Sequence, residues 1–154
     1  MGDRLTEGLS FEWRAERHAE TLLEGMAEAV AQVASPELAT RLTELSASAQ
    51  ARRSRIERRL AALFAVPRLA PVPPIIDRLD EALELALAQT RASADRYAAL
   101  AELSRRLSDP ETAFVCELNR TGAEESAMLI DGLLALEVDR RARLSSGGSA
   151  DAPL

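Results

Sequence analysis

Apolar residues recur at intervals of three and four along most of the chain, the spacing that lines one face of an α-helix. Ala15, Ala19, Leu22, Met26, Val30 and Val33 follow Ser10, a good helix-capping residue, and predict a first helix over about 10–34. Ser35-Pro36-Glu37 is then a helix start: a cap, a proline where its missing N–H does no harm, and an acid in the first turn. Leu38, Leu42, Leu45, Ala49, Ile56, Leu60 and Leu63 continue it as a second helix over about 36–64. Residues 65–74 carry Pro67, Pro71, Pro73 and Pro74 and are read as a linker, because proline removes donors and fixes φ.

Ile76, Leu79, Leu83, Ala86, Tyr97 and Leu100 predict a third helix over about 75–107. Asp109-Pro110-Glu111 repeats the cap–proline–acid start, and Leu118, Met128, Leu129, Leu133 and Leu136 mark a fourth helix over about 110–143. Residues 1–144 thus form one all-α domain, an antiparallel four-helix bundle of two hairpins, and the small polar stretch 145–154 is expected to be disordered. An offset of 74 residues lays Glu37 on Glu111, Ile56 on Ile130 and Leu60 on Leu134, consistent with a duplicated hairpin or with chance likeness of caps. As polyproline II the linker would span about 30 Å, against about 42 Å for a 28-residue helix. That length suits either a crossover along the bundle or a wide turn.

Composition narrows the function more than the fold. All 19 basic residues are Arg, a bias expected of a high-GC bacterial genome, and the net charge of -6 argues against a nucleic-acid partner. The single cysteine, Cys116, excludes an intramolecular disulfide and argues against a zinc cluster; with no suitably spaced His or Asp, it reads as a packing residue. No signal-peptide core or membrane-length apolar run is present, so a cytoplasmic protein with no membrane partner is expected.

Polar residues that interrupt the apolar stripes are the candidate chemistry. Glu16 borders the core face of the first helix, Arg52 falls between Ala49 and Ile56, Thr90 between Ala86 and Ala94, and Glu125 between Thr121 and Leu129. Paired hairpins of long helices, the stretch Met26-Ala27-Glu28-Ala29-Val30 leading into Ser35-Pro36-Glu37-Leu38, and the Arg55-Ile56-Glu57 segment resemble the ferritin-like superfamily. They are most similar to its YciF-like bacterial branch, which is associated with stress responses, over residues 8 to 140 or so.

That resemblance implies a di-metal site with one Glu from each of two helices and a Glu-x-x-His pair from each of the others. Glu16 matches the first-helix ligand. Thr90 stands where the third-helix Glu is needed, Ala49 and Arg52 where the second helix needs Glu and His, and Ala127 and Met128 follow Glu124 and Glu125 in place of a His. No Glu-x-x-His occurs in the chain. The expectation is therefore a buried polar cluster of Glu16, Arg52, Thr90 and Glu125 in place of metal and without a cofactor. In it Arg52 pairs with Glu16, Glu125 or both, because a guanidinium bridges carboxylates well; the alternative is that Arg52 snorkels to water.

The remaining polar features have bland expectations. His18, flanked by Ala15 and Leu22, is read as a surface or half-buried packing residue. Glu12, Glu16, Glu20, Glu24 and Glu28 form a four-residue ladder, read as a solvated helix face. Arg52, Arg53, Arg55, Arg58 and Arg59 are read as intramolecular partners for acids. The leading function is a non-catalytic binding or self-assembly protein, with the apolar flank Leu9, Phe11 and Trp13 available for dimerisation or for another protein. The alternatives are a metal-binding oxidase using Glu16, His18, Glu124 and Glu125, and a generic helical interaction module, which a short turn between hairpins would favour.

Overall fold

A computed structural model describes residues 2–33, 35–66 and 78–151. They form four helices: α1 over Gly2–Val33, α2 over Pro36–Ala62, α3 over Leu79–Arg106 and α4 over Pro110–Asp151. The hairpins are α1 with α2 and α3 with α4, and the hairpins meet through α1 against α3 and α2 against α4.

Two apolar clusters define the directions of the helices. One joins Leu22, Met26 and Val30 of α1 to Leu42 and Leu45 of α2, Leu83 and Ala86 of α3, and Ile130 and Leu133 of α4. The other joins Leu5, Leu9 and Trp13 of α1 to Ile56 and Leu60, Tyr97 and Leu100, and Cys116 and Ala123. The end of α2 therefore lies at the opposite end of the bundle from the start of α3, and these two helices run parallel. The placement of these two described ends agrees with the crossover alternative and not with the wide turn. The prolines of the linker, and Ile76, fall outside the described residues.

Both proline starts are capped as their sequences predict. The Ser35 hydroxyl accepts from the Glu37 N–H at 3.2 Å, and the Asp109 carboxylate accepts from the Thr112 N–H at 3.0 Å. Two boundaries differ from expectation. α1 begins at Gly2 and not near Ser10, because Leu5 and Leu9 are buried against α2 and α3; Gly8 permits a close approach, since a Cβ there would meet Leu100 Cδ2 at 2.5 Å. α4 continues to Asp151, through the stretch expected to be disordered, as no proline interrupts its hydrogen-bond ladder before Pro153.

The apolar stripe assigned to α4 also needs correction. Leu118, Met128, Leu129 and Leu136 are 41%, 76%, 54% and 67% exposed, and only Leu133 of that set is buried. The inner face of α4 is built from Ala113, Cys116, Ala123, Ala127, Ile130 and Leu133, interleaved with Thr112, Asn119, Ser126 and Glu137. Leu9 and Trp13 are core residues, so the flank expected to mediate dimerisation keeps only Phe11 partly exposed.

α2 and α3 both end in the left-handed cap that usually takes glycine. Phe64 and Ser108 have φ of 56° and 57°, with Ala65 N–H donating to Leu60 O and Asp109 N–H to Ser104 O, each at 2.8 Å. Phe64 is 99% exposed, so its ring gains no packing in return for the strained backbone. Phe64→Gly is expected to raise stability by roughly 0.5–1 kcal/mol, read as a higher urea midpoint at unchanged slope.

Candidate functional site

The centre of the bundle holds charge. Glu12, Glu16 and Glu20 are buried, whereas Glu24 and Glu28 are exposed. The reading of the whole ladder as a solvated face is thus wrong for its first three members. A step of four residues turns about 40° beyond a full helical revolution, so the ladder winds from the core to the surface along α1.

Each of these three carboxylates meets an arginine from another helix. Glu12 pairs with Arg96 of α3 and Glu16 with Arg52 of α2. Glu20 accepts from Arg53 Nε at 2.8 Å. The pairing proposed for Arg52 with Glu16 is therefore present, and both side chains are fully enclosed. Arg52 Nη1 also donates to the Ser126 hydroxyl at 2.9 Å and to the Gly122 carbonyl at 3.2 Å. A Cβ at Gly122 would lie 3.4 Å from Arg52 Cδ, an ordinary contact, so the Arg52 side chain runs directly against α4.

The other expected members divide. Thr90 is buried, but its hydroxyl donates within its own helix to Ala86 O at 2.6 Å. Glu125 faces solvent, one position from Ser126, which takes the place expected of it. Helical geometry explains the slip: neighbouring residues are about 100° apart, so adjacent positions face different surroundings. Glu124 is exposed and pairs with Arg120 at 3.2 Å. The alternative ligand set is consequently dispersed, with Glu16 inside, Glu124 and Glu125 outside, and His18 half-buried on another face of α1.

Several participants escaped the sequence reading. Asn119 bridges, donating from Nδ2 to the Arg52 carbonyl at 3.1 Å and accepting from Arg55 Nη1 at 3.2 Å. Thr112, Asn119 and Ser126 repeat every seven residues, which was the available signal for a polar seam on α4. Arg59 reaches Thr112, Glu111 and Asp109, the intramolecular role expected for the arginine run. Arg58 makes no ion pair among the described residues. Among the described residues the buried Tyr97 hydroxyl, Glu12 Oε2, Trp13 Nε1 and His18 Nε2 have no hydrogen-bond partner of ordinary geometry.

Burial controls the acid–base behaviour. It pushes the Glu16 carboxyl up to about 7, opposed by Arg52 and assisted by the charge of Glu12. Burial likewise raises Glu12 against the pull of Arg96, and raises the Tyr97 phenol well above its usual range. The Cys116 thiol is pushed up to about 12, chiefly by burial and then by Glu12, so it stays protonated and unreactive at neutral pH, as a packing residue should.

A di-metal centre in such a bundle needs carboxylates and imidazoles converging from all four helices. Among the described residues no group of three or more His, Cys, Asp or Glu side chains is placed to hold an ion. The Arg52 guanidinium stands in the middle of the cluster, where it repels a divalent cation. The side chains present do not fit a metal pair.

Two outcomes follow for stability. Arg52→Met strands the buried Glu16 charge and is expected to cost about 3–5 kcal/mol in denaturant unfolding, most of it recovered in Glu16→Leu/Arg52→Met. A carboxyl raised in the folded state contributes stability below its unfolded value, and that contribution is lost as pH rises through the folded value. Wild-type stability should accordingly fall from pH 5 to pH 8 by of order 1 kcal/mol per unit within the window ending near 7, and Glu16→Gln should flatten that slope.

No family model matches this sequence, and no curated protein is significantly similar to it. Its fold is nonetheless that of several solved structures. A protein of Xanthomonas campestris pv. campestris is 21% identical with a TM-score of 0.78, covering 94% of this chain and 97% of that one. The bacterioferritin of Mycobacterium tuberculosis is 19% identical with a TM-score of 0.80, covering 88% and 87%. Rhodobacter capsulatus bacterioferritin, described with a metal-free dinuclear site and a haem iron, is 20% identical with a TM-score of 0.79, covering 90% and 87%.

Proposed function

On the premise that this is a ferritin-like four-helix bundle, we propose that the chain is a non-catalytic member that has exchanged the metal centre for an ion pair and acts by binding or self-assembly. The observation that carries this reading is Arg52, enclosed at mid-bundle by Glu16, Ser126 and the Gly122 carbonyl. A guanidinium there supplies the positive charge that balances Glu16 and removes the need for a metal to do so. The proposed setting is the bacterial cytoplasm, under stress, with another copy of the chain as partner; a dodecameric thioferritin of Bacteroides fragilis, with a TM-score of 0.64, is an assembly built on a similar subunit.

The competing reading, an iron-handling oxidase, draws on the ferritin and bacterioferritin structures that share the fold. Elemental analysis separates the two. After incubation with ferrous iron or manganese and desalting, the wild-type protein is expected to retain far less than one ion per chain. Stoichiometric retention would overturn the proposal and put the oxidase reading first.

A further inference from the structure

α4 carries large apolar side chains on both of its sides. Ile130 and Leu133 face the core among small and polar side chains, while Phe114, Leu118, Met128, Leu129 and Leu136 face out. With Thr121, Glu125 and Gly132, which are also exposed, they form a continuous stripe at spacings of three and four. Alongside it, the outer face of α2 presents Glu44, Ser48, Ala51 and Arg55. Two grooves lie on this seam. One, of about 570 Å³, is lined by Arg55, Arg58, Arg59, Phe114, Val115 and Leu118; the other is lined by Arg41, Glu44, Leu45, Leu129 and Leu133.

On α2 the pair Glu44 and Arg55 is self-complementary about the helix midpoint, while the same midpoint relates Arg41 to Arg58 and the centre of the α4 stripe is Glu125. On α2, Glu44 precedes Ser48 by four residues and Arg55 follows Ala51 by four, so the acid and the base are equidistant from the midpoint between these two small residues. On α4, Phe114 and Leu136 are each eleven residues from Glu125, and Leu118 and Gly132 each seven. The contacts of Arg52 with Gly122 and Ser126, and of Arg55 with Asn119, set the antiparallel register of the two helices. That register brings the midpoint of α2 level with residues 124 and 125 of α4.

We infer that the α2/α4 face is an interface with a second copy of this chain, related by a two-fold axis passing between Ser48 and Ala51 and beside Glu125. This rests on the self-assembly reading above and names the surface that performs it. Such an axis sets Glu44 of each copy against Arg55 of the other, and lays the Phe114 end of one stripe on the Leu136 end of its mate. Small side chains at Ser48 and Ala51 let the two α2 helices approach where they cross the axis. Glu44 has no ion pair among the described residues, and the partner of Arg55 there is neutral, so both charges are available. The stripe is about 33 Å long over 114–136 and two helices wide, on the scale of the ~800 Å² per partner of a standard interface. An amphiphilic carboxylate would satisfy the arginine groove alone and leave Glu44, Leu129 and Leu136 unmatched; a second copy meets Glu44 with Arg55 and covers the leucines as well.

Charge reversal tests this in sedimentation velocity, with far-UV circular dichroism confirming that each variant is folded. Wild type is expected to dimerise, and Glu44→Arg and Arg55→Glu each to weaken the dimer by about ten-fold or more. A mixture of the two variants should form a heterodimer close to wild-type affinity, because both cross-pairs are then opposite in charge. Leu136→Asp, at an exposed position that leaves the core intact, should weaken the dimer as well. A dimer indifferent to these changes would overturn this interface and leave self-assembly standing. A wild-type chain monomeric at all concentrations would overturn both, as would a monomer that binds decanoate through Arg55.

Discussion

Arg52 is held by groups from two other helices, and much of the packing follows from having to satisfy a guanidinium out of water. Its carboxylate comes from α1, its hydroxyl and carbonyl from α4, and its own backbone oxygen accepts from Asn119. One side chain from the first hairpin thereby fixes the second in height as well as in rotation. Apolar contacts alone tolerate sliding by part of a turn; a charged group with directional partners does not. The flanking pairs, Glu12 with Arg96 and Glu20 with Arg53, extend the same constraint along α1 in both directions.

The inner surface of α4 is the complement of that arrangement. Arg52 and Asn119 take up space where two helices meet, so the residues opposite must be small: Gly122, Ala123, Ser126 and Ala127. Those small residues bury little apolar area, and apart from the inward Ile130 and Leu133 most large apolar residues of α4 lie on its far side. The feature that anchors the centre of the bundle and the feature that leaves an apolar stripe on its surface are therefore two sides of one helix. In the proposed dimer, burying that stripe between copies would recover hydrophobic stabilisation that the isolated chain does not have.

Charge also relates this bundle to the bacterioferritins whose fold it shares. A cluster of inward carboxylates needs positive charge at its centre, and either a metal ion or a guanidinium supplies it. An arginine is part of the chain, present from synthesis and independent of metal supply. It brings no redox chemistry and no open coordination position. The bundle's unmatched residues, Glu44, Arg58 and the outer leucines of α4, lie on the surface.

Local rules determined the helices themselves: the 3–4 periodicity, the Ser35-Pro36-Glu37 and Asp109-Pro110-Glu111 starts, and the prolines before α3 are all consequences of residue type acting within a few positions. The pairing of Arg52 with Glu16 was also legible, because a charge inside an apolar stripe needs a partner. Tertiary structure alone decided which face of α4 turned inward, since that helix carries apolar residues on more than one side and only its neighbours choose between them. The same holds for Glu125 against Ser126, for the burial of Glu12 and Glu20 by arginines that are 84 and 33 residues distant, and for the parallel directions of α2 and α3. Each depends on what a residue meets across the bundle, and periodicity along one helix carries no record of that.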